Sequence, residues 1–537
     1  MTILGINGGV RAGYQDVSAV LLRDGKIIAA VEEERLSRVK HSPGQLPFLA
    51  VHEVLSLGNI SIRDVDIIAT HGSTWGDQYD EVLNSYFTNT FGFCPRTVRY
   101  HHHQCHAAST YYASGFEDAM ILTVDASGDG ISLQKAIGKC GTINLIEQIS
   151  RDNSIGIFYA MMTQFCGFHR DTDEYKLMGL APYGNANEID LSFLIERSNG
   201  DFKTNSDYKI NYAAGQPQGS RQQVVFNQNL IDKLGSPRIP NSEVSQFYKN
   251  VASSTQQLLE DVLCDVVKKF STETGLKKLC LAGGVTLNCA ANQKLLQLDC
   301  IEEIYVQPAA SDAGISLGAA YLASAEFDCV PEAMTTVKLG REFSDNEIEA
   351  QLKLLGIKYE KVEEPSTVAT DLILQDKIIG WVEGRAEFGP RALGSRSILA
   401  SAFNPNMKEI INQKIKFREG FRPFCPSVLE EDFSKAFLSK QKTLPYMTVN
   451  VDVVSDDYPS ITHVNKTARV QTVSKNEAGN FPKLLQAIQQ QKGTGIVVNT
   501  SFNRNRESMV YNTIDAVSAF YGSGMDALLV GSFLVKK

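Results

Sequence analysis

Ala119–Gly130 reads AMILTVDASGDG: six residues suited to a buried strand, then an aspartate and a turn carrying two glycines. A continuous apolar run of this length predicts a strand inside an α/β sheet, with the carboxylate delivered at its end. The same grammar recurs at Met1–Gly9 (MTILGINGG) and at Leu279–Gly284 (LCLAGG). Between them lie a predicted hairpin through Asp24-Gly25 in DVSAVLLRDGKIIAAV, a helical stretch near Leu46–Leu57 and the strand VDIIAT. Helical spacing at Phe247, Val251, Leu258, Val262 and Val266 precedes the Leu279–Leu281 strand, and a further helix begins near Asn288. Alternating strands and long helices indicate an α/β architecture, and the repeated strand–turn units hint at an internal duplication.

The chain has 537 residues, and single cores stop growing at roughly 250–300 residues, so two or three domains are expected. The pattern loosens around Asp328–Asp345, and a new α/β unit starts at the strand KIIGWV, Lys377–Val382. The expected division is 1–335 and 336–537. With 43% apolar and 21% charged residues, the composition is that of an ordinary globular protein. A net charge of −9 argues against a chain that coats nucleic acid or an anionic membrane. No apolar run approaches the ~20 residues of a membrane span, and MTILGINGG lacks the features of a signal peptide. Ten cysteines without a single CxxC read as buried reduced thiols, hence a cytoplasmic location.

Four of the nine histidines (His101, His102, His103, His106) fall within six residues. His102 and His106 are spaced i, i+4, which on a helix puts two imidazoles on one face, able to share a metal ion. A third ligand would come from Asp125 or from Asp312 in QPAASDAGISLG; His101 and His103 point to other faces. The turns Asn7-Gly8-Gly9, Asp125–Gly130 and Gly283-Gly284 bare backbone amides suited to phosphate or ribose, although none is a GxxxxGK[ST] loop or a GxGxxG helix start. From Arg385 to Arg422 eight basic residues (Arg385, Arg391, Arg396, Lys408, Lys414, Lys416, Arg418, Arg422) face three acidic ones (Glu387, Glu409, Glu419). Interleaved with EFGPRALGSRSILA and FREGFRPFCPS, they suggest a shaped pocket for a small polyphosphate, because arginine forks match phosphate oxygens. No GxSxG occurs, no aromatic platform for RNA is visible, and Cys105 reads as packing.

With these segments assembled, the chain resembles the O-carbamoyltransferases of the NodU/CmcH/TobZ type. The resemblance rests on DGKIIAAVEEERLSRVKH, HHHQCHAAS, ILTVDASGDG, EYKLMGLAPYG, LCLAGGVTLNCAAN and SDAGISLGAA in the first part. In the second it rests on GRAEFGPRALGSRSILA, FREGFRPFCPSVL, THVNKTARVQTV and VVNTSFN. The resemblance implies a duplicated actin-like (ASKHA) ATPase-type domain, similar to tRNA threonylcarbamoyl transferases, followed by a YrdC-like α/β domain. It implies that carbamoyl phosphate and ATP (as Mg-ATP) give carbamoyl-adenylate and pyrophosphate in the second domain. The carbamoyl group then passes, in the metal-bearing domain, to a hydroxyl of a small acceptor. By motif, His102, His106 and Asp312 match metal ligands, with Asp125 the weaker one and a candidate to assist deprotonation of the acceptor. Lys40 resembles a lysine that stabilises the leaving AMP phosphate, and Gly283, Gly284 and Asn288 would hold the adenosine. Arg391, Lys416 and Arg422 match residues that grip carbamoyl phosphate and ATP. Arg469, Asn499 and Ser501 match the remaining polar wall, with Met447 a packing contact to the base.

The chain departs from the pattern twice: Gln15 stands where a histidine is usual, and Asn505-Arg506-Glu507-Ser508 replaces arginine–glycine–glutamate–proline. Iron, magnesium, manganese and zinc are not ranked by a His₂Asp set. The polar segment 199–237 is expected to cap the acceptor side, and the family tilts the assembly toward a dimer. Two other readings stay open: a tRNA threonylcarbamoyl-type transferase, disfavoured by the acidic charge, and a nucleotide-gated protein without catalysis.

Overall fold

The structure, a computed structural model, describes residues 1–9, 16–209 and 223–537. Gln15 and residues 210–222 of the expected acceptor cap therefore lie outside the described residues. The first sheet contains β1 (Thr2–Asn7), β2 (Ser18–Arg23), β3 (Lys26–Glu32), β4 (Ile67–His71) and β5 (Arg96–Tyr100) in the order β3-β2-β1-β4-β5. β1, β2 and β3 pair antiparallel, and β1, β4 and β5 pair parallel. The second sheet contains β6 (Asp118–Gly128), β7 (Ile131–Lys139), β8 (Thr142–Ser150), β9 (Lys278–Ala282) and β10 (Glu303–Val306). Its order is β8-β7-β6-β9-β10, again with two antiparallel pairings on one side of the first strand and two parallel ones on the other. Strand order and direction are thus repeated, so the duplication hinted at by the strand–turn units is real at the level of topology.

The two sheets are laced together by helices that cross over. α1 (His102–Ser114) follows the first sheet in the chain. Its Ala107 and Tyr111 nevertheless pack against Ala119 and Ile121 of β6, Ala136 of β7 and Cys280 of β9. α2 (Ile315–Glu326) follows the second sheet, and its Ile315 and Leu317 join Ile3, Val20, Ile67 and Ala69 of the first. Burying each such aliphatic side chain stabilises the fold by about 1.5–3 kcal/mol. Small residues make the crossing possible. A Cβ at Gly318 would lie 1.8 Å from the Cys105 carbonyl oxygen, and one at Gly5 2.0 Å from that of Ser316.

Between Glu326 and Asp345 no helix or strand forms, apart from a bridge between Lys338 and Glu387. Beyond it, Glu360 to Lys536 build an eight-stranded mixed sheet, with a three-stranded antiparallel sheet beside it. Trp381, Leu399, Val497 and Leu529 of the large sheet pack against Ala369, Ile373, Leu484, Leu485 and Ile488 from two helices. The protein is therefore α/β throughout, with a duplicated pair of sheets followed by a third, unrelated α/β layer. No helix among the described residues is long and apolar enough to cross a membrane.

Candidate active site

α1 is capped by His101, whose side chain accepts the His103 N–H. The helix then presents His102 and His106 on one face. Their Nε2 atoms stand 3.1 Å apart. Asp125 reaches both through a bulge: β6 leaves its ladder with β7 at Val124 and rejoins at Gly128, which turns the Asp125 carboxylate inward. Asp125 Oδ2 lies 3.3 Å from His102 Nε2 and 3.2 Å from His106 Nε2. Asp312, in the turn that opens α2, places Oδ1 3.8 Å and 3.7 Å from the same nitrogens. Gly128 makes room for the ring, since a Cβ there would sit 2.0 Å from His102 Cδ2. His103 is not part of the set: its Nδ1 is held by Thr123 and its Nε2 by the Ile131 carbonyl.

Burial alone would push His106 down, yet hydrogen bonds to Asp125 and Asp312 carry it up to about 9. Burial would raise Asp125, and its bonds to the two imidazoles take it well below the carboxylate range. Asp312 is raised by burial. Two imidazoles and two carboxylates, with one donor atom each inside a 4.8 Å span, fit a divalent cation. Bonds of about 2.0–2.2 Å at tetrahedral angles would separate such donors by roughly 3.3–3.6 Å, close to what is found. His106 Nδ1 is buried and has no hydrogen-bond partner.

Gly283 and Gly284 close the other side of this set. Gly283 has φ +96°, and a Cβ on it would lie 2.3 Å from the Val124 carbonyl; one on Gly284 would lie 3.2 Å from Asp125 Oδ1. The Asn288 side chain is already committed. It caps the helix Cys289–Gln297 by accepting the Ala291 N–H, and it forms a reciprocal amide pair with Gln256. Any contact to a nucleoside from this turn would fall to its backbone.

A second group of residues is gathered by the large sheet. Lys416 is buried, and its ammonium donates only to neutral acceptors: the Ser501 carbonyl at 2.6 Å, Asn503 Oδ1 at 2.8 Å and the Asn503 carbonyl at 3.1 Å. Burial, with the charges of Arg418, Arg422 and Lys40 close by, holds it well below the usual lysine range. Arg391 is lowered to about 10 by burial and by Arg469, with Arg422 adding to the repulsion. Glu419, 3.7 Å from Arg422, is the carboxylate paired with this cluster, and buried cations in excess of their counter-charge are costly unless an anion completes them. Arg418 is lowered to about 9, by burial first and then by Arg422. It braces the loop by bonding Asn412 Oδ1 and the Pro423 carbonyl. A π-turn at Asn412–Lys416 and a left-handed Phe417 (φ 44°) set this loop in a geometry that recurs at functional sites.

The basic run is not one pocket. Arg385 and Arg396 are spent on backbone carbonyls, Arg385 on Gly340, Leu339 and Ile28, and Arg396 on Tyr511, Glu383, Gly384, Ser395 and Arg341. The pocket comprises Arg391, Lys416, Arg418 and Arg422, with Arg469. Asn499 lies in the sheet floor, its amide held by Ala392 and Ser427, its Oδ1 buried without a partner. Met447 (φ 53°) is buried in the cluster that contains Cys425 and Phe388. The Asn505–Ser508 departure forms a loop tied by Asn505 Nδ2 to the Phe417 carbonyl, with Glu507 paired to Arg504 and Arg506 exposed.

The two groups adjoin. Arg469 donates to Cys425 Sγ at 3.1 Å and also to the Cys289 thiol, and Cys289 directly follows Asn288. Lys40 is felt on both sides, at Lys416 and at Asp16, which in turn bonds His41 and Ser311 beside Asp312. Tyr175, from the first part of the chain, lies 4.6 Å beneath the Arg422 guanidinium.

Two family models match the chain in order: the carbamoyltransferase N-terminus over residues 88–321 and the carbamoyltransferase C-terminus over 370–537. The nodulation protein NolNO of Sinorhizobium fredii is 35% identical over all of this chain and 83% of its own length. The chain belongs to the carbamoyltransferase family. This carbamoyltransferase is also 27% identical to the 3'-hydroxymethylcephem-O-carbamoyltransferase of Amycolatopsis lactamdurans, over 96% of each chain. Among solved structures, full-length HypF in its phosphate- and nucleotide-bound form covers 62% of the carbamoyltransferase and 56% of its own chain, with a TM-score of 0.33 at 15% identity.

Reading by residue type placed Arg418 in the basic run but missed Asn503, Tyr175 and the two thiols on Arg469. Asn503 closes the motif VVNTSFN and Tyr175 is the second residue of EYKLMGL, which begins at Glu174, so the signal was the motif itself.

Proposed function

We propose that this carbamoyltransferase is an ATP-dependent O-carbamoyltransferase, with activation at the cation pocket and transfer at the His/Asp set. The observation that supports it most is the pocket of Arg391, Lys416, Arg418, Arg422 and Arg469, which contains several buried cations with neutral hydrogen-bond partners. Arginine forks there bind carbamoyl phosphate and the phosphates of ATP. Water releases phosphate from carbamoyl phosphate, and the carbamate oxygen attacks the α-phosphorus of ATP. Pyrophosphate leaves as carbamoyl-adenylate forms, its charge met by Arg391, Lys416 and Arg422. Asn499 and Ser501 complete the polar wall, and Met447 backs the base.

Transfer follows where His102, His106 and Asp312, with Asp125, would hold a divalent ion. When bound, such an ion supplies Lewis-acid polarisation of a carbonyl oxygen. Asp125 accepts the proton of the acceptor hydroxyl. Lys40 faces the phosphate of the departing AMP, and the Gly283-Gly284 backbone turn holds the nucleoside. The acceptor is a small hydroxylated molecule; a cytoplasmic setting follows the cysteine pattern, and a homodimer follows the family.

The test is exchange of labelled pyrophosphate into ATP without acceptor. Exchange that depends on carbamoyl phosphate is expected; its absence in folded protein with magnesium present overturns the reading.

A further inference from the structure

The motif EEER, Glu32–Arg35, buries four consecutive charged side chains, each less than a tenth exposed. Two have local tasks. Glu33 accepts the N–H groups of Leu49 and Ala50 at the start of a helix, and Glu34 accepts the His41 N–H. Glu32 and Arg35 reach across to the far part of the chain. Glu32 Oε1 accepts the Gly389 N–H at 2.8 Å, and Arg35 Nη2 donates to the Gly389 carbonyl at 2.8 Å and to Glu32 Oε1 at 3.1 Å. One residue's backbone is thus held at both its donor and its acceptor by the Glu32–Arg35 pair, with Arg35 also ion-paired to Glu34 through Nη1.

Gly389 can be gripped this way because it is glycine. Its φ is +117°, and a Cβ would stand 3.1 Å from the Pro308 carbonyl, on the loop that leads to Asp312. Two residues on is Arg391. Stability alone does not explain the ion pair, since buried pairs are often matched or bettered by apolar residues of similar size. Glu32 Oε2 and Arg35 Nε are moreover buried with no partner, so the pair carries an unrecovered cost.

We propose that Glu32 and Arg35 are positioning residues: they clamp Gly389 so that the Arg391 guanidinium stands aimed into the cation pocket, and so set its affinity for phosphoryl ligands. This rests on the reading of that pocket given above. A second ion pair between the same parts of the chain provides the control. Arg341 holds Glu53 through Nε at 2.7 Å and Nη2 at 3.1 Å, and touches no pocket residue.

The experiment compares Arg35→Lys, Glu32→Gln and Glu53→Gln in the full chain, measuring calorimetric binding of inorganic pyrophosphate, the exchange kinetics and Tm. Arg35→Lys is expected to raise the pyrophosphate Kd and the KM for carbamoyl phosphate about tenfold or more, as misplacement of a binding group does. Glu53→Gln should lower Tm but leave both constants within about twofold of wild type. Wild-type constants in Arg35→Lys, or an equal shift in Glu53→Gln, overturn the proposal. If Arg35→Lys does not fold, Glu32→Gln decides. Measured at pH 8, where the Glu32 carboxyl (raised to about 7) is ionised, it keeps an acceptor for Gly389 but loses the charge, and is expected to shift the constants the same way; wild-type constants there overturn the proposal. Wild-type protein that binds pyrophosphate but shows no exchange refutes the carbamoyl-adenylate reading, and the Kd comparison still judges the clamp. Failure of the wild type to bind pyrophosphate refutes the clamp itself.

Discussion

His102 Nε2 and His106 Nε2 face one another at 3.1 Å, and both face Asp125 Oδ2. Two imidazoles pointed at one spot beside two carboxylates make a chelate. The carbamoyltransferase is expected to hold one divalent ion per chain, measured by elemental mass spectrometry after dialysis. His106→Ala should lower that affinity at least about tenfold and abolish transfer, while leaving pyrophosphate exchange intact. Equal metal content in variant and wild type would contradict the chelate.

Arg391 sits beside Arg469 and Arg422, and burial first, then the charges of those two, lowers its basicity. Arg391→Met removes one repelling charge. Exchange should fall about 100-fold or more, with Tm at or above the wild-type value. A large loss of Tm would show that Arg391 is a structural brace.

Gly128 and Gly130 separate sterics from backbone preference. Gly128→Ala drives a methyl group into the His102 ring, so metal affinity should drop by about 10–100-fold. Gly130 (φ +82°) has open space where a Cβ would go; Gly130→Ala should cost about 1 kcal/mol of stability and leave the metal in place. Metal titrations with thermal melts distinguish the two.

Burial pushes Glu32 up to about 7 despite Arg35, with the charge of Glu34 adding to the rise. The folded protein therefore keeps a proton that the unfolded chain releases near pH 4.5. The stability this group contributes is full below about pH 4.5 and is lost as pH rises through 7. Glu32→Gln does not titrate. Its stability relative to wild type should improve from pH 5 to pH 8 by at most about 3 kcal/mol, read by chemical denaturation. A difference that stays flat with pH would rule out the perturbed carboxyl.

The hairpin at Asp24-Gly25, the i, i+4 histidines and the alternation of strands and helices were legible because each is a local pattern of a few residues. The metal set was legible for the same reason: its aspartates end strand-and-turn units that announce themselves. The basic run misled in part. Arg385 and Arg396 have the composition of a pocket but are turned toward carbonyls, a fact set by tertiary packing rather than by spacing. The Glu32–Gly389 and Arg35–Gly389 bonds, 357 and 354 residues apart, leave no local trace beyond an unusual density of charge. Strand order, too, was beyond periodicity, because pairing β1 with β4 and β6 with β9 is decided by which neighbours cover both faces.

The crossed helices also bear on how the chain is made. The first sheet receives α2 over Ile3 and Ile67 only after residue 326 has been synthesised. From the last strand of that sheet at Tyr100, the 226 residues to Glu326 take about 11–45 s at about 5–20 residues per second. Throughout that interval an apolar sheet face emerges from the ribosome uncovered, and holdase chaperones should engage nascent chains that stop short of α2 and release those that include it.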